Sequence, residues 1–268
     1  MKRRSIAVLL AFLGVLAVLS GCVRTEESGF DYTFKALSEA EKVTVHIYNK
    51  EEEEAYRVPV TEELIKLVKG EWTPVSGQDG GKKTITLTVD TQHEITFFDN
   101  GRAMIFYGYA SVVERDRCYY EAKLDGDVAK IEEYTNKHGI HADAAAILEL
   151  FAREGDHEKG KKPLEIKATL SDKSDVVYSL ESSADIDSLF AGSWKKAEGG
   201  RKGEELLSMT VDGKYKLCIL EGEIGYIASI SEINSQGEEK NTAHYTVSLD
   251  GGVTALSDYI AENGKVLK

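Results

Sequence analysis

The sequence repeats one stretch of itself, and this repetition constrains the fold more than any other feature. Residues 124–139 and 249–264 align without a gap, 125 positions apart, with leucine, aspartate, glycine, valine, tyrosine and a final glycine in common. Further upstream, Gly70-Glu71-Trp72 matches Gly192-Ser193-Trp194. Two copies with a period far above about 50 residues exclude a solenoid and predict a duplicated, two-domain chain.

Each copy predicts the same series of elements. Residues 43–48 alternate apolar and polar side chains, as a half-buried strand does. Thr61 can cap a following helix whose first turn is acidic. Asn100-Gly101 and Asp212-Gly213 are typical of tight hairpin turns. The pattern predicts an α+β fold in two tandem duplicated domains, each an antiparallel sheet with about two helices packed on one face.

The two copies also set the predicted domain boundaries. Residues 42–140 are expected to form α+β repeat 1, and residues 164–268 α+β repeat 2. Between them, residues 141–163 are an Ala- and Leu-rich helical stretch followed by a polar linker. We interpret residues 1–21 as a signal peptide and residues 22–41 as a tether.

The first 22 residues have the three parts of an export signal. Met1-Lys2-Arg3-Arg4 is basic, residues 6–19 are apolar, and small residues follow. The apolar run is shorter than the ~20 residues that a membrane-spanning helix needs. Its end, Leu19-Ser20-Gly21-Cys22, resembles the lipobox of bacterial lipoproteins. The resemblance implies that Cys22 receives a diacylglyceryl group and that cleavage occurs just before it. The alternative is an ordinary signal peptide, or an uncleaved anchor, with an incidental cysteine.

Charge and location follow from this N-terminus. Cleavage before Cys22 removes three positive charges, so that the net charge of −13 becomes −16. A chain this acidic repels phosphate backbones, which argues against a nucleic-acid partner. No polybasic patch is evident, so the lipid must supply most of the attachment to the membrane. The resemblance implies a lipid-anchored, extracytoplasmic protein of the cell membrane or, because Val23 is not aspartate, of the outer membrane in a Gram-negative host.

No motif with convincing catalytic context occurs, so we predict neither an enzyme nor a cofactor. P-loop, dinucleotide-binding, zinc-protease and nucleophile-elbow patterns are all missing from the sequence. His138 and His141 are weak candidates for zinc ligands, but a site needs at least three ligands, and we predict no metal. Cys118 and Cys218 could form a disulfide in an oxidising compartment, although two isolated small apolar residues are the favoured interpretation.

Four tyrosines are the candidate partner-binding residues: Tyr107, Tyr109, Tyr119 and Tyr120. Tyr119 and Tyr120 are adjacent and must point to opposite sides of a strand, so one of the two is expected to be accessible. Exposed tyrosines are common in contacts with proteins and glycans. Ordinary strand propensity is the alternative explanation.

These observations together predict a non-enzymatic lipoprotein, held to the membrane by its N-terminal lipid, that binds an envelope or surface protein. The alternative is a lipoprotein that binds a small ligand or a metal ion. The residues after Cys22 resemble no family that a motif identifies.

Overall fold

The computed structural model describes residues 29–49, 52–76, 81–108, 116–155, 161–173, 175–198, 203–222 and 225–267. The export signal, Cys22 and Tyr109 lie outside these ranges. What was predicted for them stays a prediction.

Strands dominate the described part of the chain. The helices are α1 (residues 29–39), α2 (Glu62–Val68), α3 (Val128–His138), α4 (Ala142–Phe151), α5 (Ala184–Leu189) and α6 (Gly252–Asn263). The first eight strands are β1 (Lys42–Tyr48), β2 (Glu53–Pro59), β3 (Gly70–Val75), β4 (Lys83–Thr88), β5 (His93–Phe98), β6 (Arg102–Tyr107), β7 (Asp116–Leu124) and β8 (Ile140–His141). The other eight are β9 (Glu165–Leu170), β10 (Val177–Glu181), β11 (Gly192–Lys196), β12 (Glu204–Val211), β13 (Tyr215–Glu221), β14 (Tyr226–Ile233), β15 (Glu239–Leu249) and β16 (Lys265–Leu267).

The strands form one mixed sheet, in the order β16-β10-β9-β12-β13-β14-β15-β11-β8-β2-β1-β4-β5-β6-β7-β3. The prediction of two α+β domains, each with its own antiparallel sheet and about two helices on one face, is therefore wrong. The physical reason is the short strand β8, which pairs antiparallel with β2 and parallel with β11 and so continues the hydrogen bonding. A strand of two residues is too short to show the alternation of apolar and polar side chains by which strands are predicted from a sequence.

The strands β1–β8 and the strands β9–β16 follow the same order in the sheet. Numbered from one to eight along the chain within each set, they lie in the order 8-2-1-4-5-6-7-3. This order runs from β16 to β11 in the later set and from β8 to β3 in the earlier set. The matched segments 124–139 and 249–264 therefore begin at the ends of corresponding strands, β7 and β15, and continue into the helices α3 and α6.

The chain divides into two compact units. The first comprises the residues up to Glu54 and Pro59–Glu132, and the second comprises Ala55–Val58 and Glu133–Lys268. In the first unit, Val43 and Val45 of β1 are fully buried, while Thr44 between them is only partly buried. Helix α1, which lies within the predicted tether and was not predicted as a helix, packs the rings of Phe30 and Phe34 against Trp72 of β3, with each pair of centroids 5.5 Å apart.

The second unit has the larger core. Helices α4, α5 and α6 cover one face of its sheet with apolar side chains that include Phe151, Ile186 and Ile260. Trp194 of β11 is fully buried beneath them, and its indole Nε1 donates a hydrogen bond of 3.0 Å to the carbonyl oxygen of Phe190. Alternation along each strand thus places one face of this sheet under helices.

Several local predictions are confirmed. Thr61 is the N-cap of α2, and its hydroxyl accepts a hydrogen bond from the amide of Leu64. Asp212 and Gly213 both have positive φ in the turn that joins β12 to β13. Gly101, also with positive φ, lies in the turn between β5 and β6. In each case the local conformation agrees with the chemistry of a few adjacent residues.

No helix in the described part of the chain is both long and apolar enough to cross a membrane.

Two glycines of the second unit provide a matched test of the packing. Gly192 has φ +136°, and a Cβ there would overlap the carbonyl oxygen of Ser248 on the neighbouring strand. Gly213 has φ +63°, but a Cβ there would meet no atom within 4 Å. We expect Gly213→Ala to reduce the free energy of unfolding by about 1–2 kcal/mol through backbone strain alone. Gly192→Ala should cost about 2 kcal/mol more because the added methyl forces β11 away from β15.

Urea unfolding followed by circular dichroism measures both losses. Equal losses for the two variants would show that β11 and β15 do not approach as closely as the structure has them.

Candidate functional site

A pocket of about 320 Å³ lies in the second unit, between the end of β9 and the side of α6. Its walls come from the end of β9 with the following 3-10 turn Ser171–Lys173, from one flank of α6, and from single residues of β12 and β14. Its lining residues are Leu170, Ser171, Asp172, Lys173, Leu206, Tyr226, Val253, Thr254, Ser257, Asp258 and Ala261. Sites for small ligands typically start at about 300 Å³, so this pocket is at the small end of the range.

Helical spacing explains which face of α6 borders the pocket. Val253, Leu256 and Ile260 are the buried residues of α6 and hold the helix against the core. Thr254 and Asp258 lie four residues apart, beside these buried positions, and therefore share the neighbouring face of the helix. The core contacts of α6 thus fix a polar flank at the edge of the pocket.

The pocket combines an apolar wall with charged and hydroxyl groups. Leu170 and Val253 are buried, and Leu206 and Tyr226 are half-buried. Among the polar residues, Asp172 and Asp258 carry carboxylates and Lys173 an ammonium group, and all three are exposed. The hydroxyls of Ser171, Thr254 and Ser257 complete the lining.

None of these polar side chains binds another protein group within the described ranges. The side chains of Asp172, Lys173 and Asp258 take part in no hydrogen bond or ion pair there, and the same holds for the three hydroxyls. Donors and acceptors of both charge signs therefore face one concavity without protein partners. An arrangement of this kind can bind a ligand by direct hydrogen bonds at little cost in broken internal contacts.

A second polar cluster, on β13, β14 and β15, is internally satisfied. The ammonium of Lys216 lies 2.7 Å from Oε1 of Glu239, and Oε2 of the same carboxylate accepts a hydrogen bond of 3.2 Å from the hydroxyl of Ser231. The hydrogen bond from Lys216 lowers the pKa of Glu239, and the same contact raises the pKa of Lys216. The hydroxyl of Ser231 is also 2.9 Å from that of Thr242. Because these groups bind one another, we assign the cluster a structural role.

The two described cysteines form no disulfide, and Cys218 does not have the character of a nucleophile. Cys218 is buried and Cys118 half-buried. Burial, followed by the nearby charge of Glu205, raises the pKa of Cys218. A raised pKa keeps the thiol protonated at neutral pH, and only the thiolate is reactive.

The predicted tyrosines do not form one exposed surface in the described ranges. Tyr107 is 4% exposed and Tyr120 is 3% exposed, and both belong to the aromatic cluster of the first unit. The ring of Tyr120 lies 5.7 Å from that of Phe30 on α1, so it packs beside a helix. Tyr119, on the other face of β7, is half-buried.

The two predicted histidines are occupied by structural contacts. His141 is the N-cap of α4, and its Nδ1 accepts a hydrogen bond from the amide of Asp143. Its ring also contacts Tyr56 and Tyr245, at centroid distances of 5.6 and 6.0 Å. The ring of His138 packs 4.7 Å from that of Tyr134. Within the described ranges, no group of three potential metal-ligating side chains is brought together.

Sequence reasoning missed the pocket residues. Asp172 and Lys173 lie in a short turn after a strand, and nothing in their spacing distinguishes them from ordinary loop residues. Asp258 belongs to a helix that was predicted, but its position beside the apolar stripe is typical of any amphipathic helix. The signal arises only when β9 and α6, more than 80 residues apart in the sequence, are brought together.

Comparisons with known proteins assign no family. No protein family model and no curated protein matches the chain. Among solved structures, the chain is similar to holo-PhuS, a heme-binding protein from Pseudomonas aeruginosa, at 12% identity, with 88% of this chain and 85% of that chain covered and a TM-score of 0.16. It is also similar to ChuS, an E. coli heme oxygenase, at 10% identity, with 87% and 86% covered and a TM-score of 0.17. TM-scores this low carry no argument about fold or function.

Proposed function

We propose that the protein is a lipid-anchored, extracytoplasmic lipoprotein that binds a small molecule in the pocket between β9 and α6 without changing it chemically. The observation that carries the proposal is the set of unpartnered polar side chains, among the described residues, around the apolar wall of that pocket. The polar side chains of its described lining make no hydrogen bond with one another, so no hydroxyl there is paired with a base that could activate it for nucleophilic attack. A binding role without catalysis therefore fits the lining best.

Binding of an envelope or surface protein through the tyrosines has less support. Two of those four residues, Tyr107 and Tyr120, are buried in the first unit. A buried tyrosine contributes to a partner surface only if the element that covers it moves. The small-ligand function needs no such rearrangement.

The lining indicates the class of ligand. An ammonium group can pair with Asp172 or Asp258, and a carboxylate with Lys173. An apolar side group can rest on Leu170 and Tyr226. The ligand that satisfies both charge signs and the apolar wall is a small zwitterion with an apolar side group, of the amino-acid type.

The anchoring part of the proposal rests on Leu19-Ser20-Gly21-Cys22 and the basic, apolar segment before it. We expect the wild-type protein, expressed in a bacterial host, to incorporate labelled palmitate and to enter the detergent phase on Triton X-114 partitioning. Cys22→Ser should abolish both, because it removes the thiol that the lipid modifies. Cys118→Ser is the matched control and should keep both. Label retained by the Cys22→Ser protein would overturn the anchoring.

Three related probes test the pocket by calorimetric titration of the detergent-solubilised protein. L-phenylalanine has both charges, 2-phenylethylamine only the ammonium group and 3-phenylpropionate only the carboxylate. We expect L-phenylalanine to bind most tightly. Asp258→Asn should weaken L-phenylalanine and 2-phenylethylamine by about tenfold, the loss typical of one charged hydrogen bond. Lys173→Met should weaken L-phenylalanine and 3-phenylpropionate while leaving 2-phenylethylamine unchanged.

Glu262→Gln is the matched control, because Glu262 lies on the same helix outside the pocket. Absence of binding by all three probes would contradict the proposed ligand class. So would an equal loss of affinity in the Glu262→Gln and Asp258→Asn proteins.

A further inference from the structure

The two end strands of the sheet, β16 and β3, each lack a neighbour on one side among the described residues. β16 carries two of the most exposed apolar side chains in the described chain, Val266 at 53% and Leu267 at 39%. Unpaired strand edges offer backbone donors and acceptors to another chain. The question is which chain fits these two edges.

The pairing of β8 with β11 inside the second unit shows how edges of this kind join. β8 follows the helix α3 through Gly139 and lies parallel to β11, with Ile140 opposite Trp194. The amide of Trp194 donates a hydrogen bond of 3.0 Å to the carbonyl oxygen of Gly139. The hydroxyl of Ser193 donates to the carbonyl oxygen of Asn136 at 2.9 Å. A strand of two residues is thus enough to make this junction.

β16 has the same relation to its surroundings as β8. It follows α6 through Gly264, whose amide donates to the carbonyl oxygen of Ile260, as the amide of Gly139 donates to that of Thr135. A Cβ on Gly264 would lie 2.9 Å from Cβ of Tyr178, and one on Gly139 would lie 3.1 Å from Cβ of Tyr56.

The opposite strands complete the correspondence at this edge. Val266 pairs with Tyr178 on β10, as His141 pairs with Tyr56 on β2. His141, however, is only 7% exposed, whereas Val266 is largely open to solvent.

β3 has the same relation to its surroundings as β11. Trp72 is paired with Ala122, and Trp194 is paired with Val247, which lies 125 positions after Ala122, the same offset as between the matched segments. The amide of Trp194 points away from β15, towards β8. By the same register, the amide of Trp72 points towards the free edge of β3.

A further feature adapts the β3 edge to a short junction. Pro74 has no N–H to donate, which limits pairing along this edge to the region around Trp72.

We propose that a second copy of this chain is the partner of both edges: β16 of one molecule pairs in parallel with β3 of the next, in the way that β8 pairs with β11. The contact joins two different surfaces, so it is heterologous and repeats from molecule to molecule. It produces a row of copies that grows beyond the dimer. The proposal does not depend on the pocket or on its ligand.

Disulfide trapping tests this pairing. In the β8–β11 register, the residue after Trp194 lies beside the residue after Ile140, so Thr73 of one copy should lie beside Val266 of the next. Adjacent positions in paired strands are close enough for a disulfide. Both residues are exposed, and their replacement leaves the core intact.

The purified protein, kept in solution with a mild detergent, is oxidised and analysed on non-reducing gels. The Thr73→Cys/Val266→Cys double variant should give a ladder of dimers, trimers and larger species. A mixture of the two single variants should give dimers only, because each molecule then has one reactive edge. The control is Thr73→Cys/Lys240→Cys, in which the second cysteine lies on an exposed part of β15 away from both edges.

Circular dichroism establishes that the variants are folded, and the unsubstituted chain sets the background from Cys118 and Cys218. A double variant that forms no more oligomer than the control would overturn the proposal. So would dimers formed by either single variant alone in equal yield, because these would show an edge pairing with its own kind.

Discussion

The packing of one apolar sheet face against helices is the constraint on which the rest of the second unit depends. Alternation along β12, β13 and β15 sends side chains such as Leu207, Ile219 and Val247 to that face. Trp194, fully buried with its indole nitrogen hydrogen-bonded, fills the space where α5 ends and β11 begins. Each fully buried side chain of this size contributes roughly 1.5–3 kcal/mol, so the core as a whole determines how α4, α5 and α6 are placed.

The placement of α6 has a direct consequence for chemistry. The helix is held by Val253, Leu256 and Ile260, and its flank with Thr254 and Asp258 is therefore presented beside the turn after β9. The backbone positions of these polar groups are fixed by the packing of the helix, and their side chains need break no protein contact in order to meet a ligand. Elsewhere, polar groups such as Lys216 and Glu239 bind each other, whereas those of the pocket are available to a ligand.

Local chemistry could be predicted from the sequence, and long-range connectivity could not. The cap at Thr61 and the turn at Asp212-Gly213 depend on a few adjacent residues, and both are present as predicted. The two-residue strand β8 is too short to show a period, yet it decides that the strands form a single sheet. Helix α1 was overlooked because its N-terminal part lies in a polar stretch, although Phe30, Phe34 and Leu37 are spaced as on one helix face. The candidate site escaped prediction for the same reason as the sheet order: Asp172 and Asp258 become neighbours only in three dimensions.

The most direct test is a crystal structure of the protein soaked with L-phenylalanine. The account predicts density for the amino acid between the turn Ser171–Lys173 and α6, with its ammonium group within hydrogen-bonding distance of Asp172 or Asp258 and its ring against Leu170 or Tyr226. Density at a different place on the protein, with this pocket holding only solvent, would contradict it.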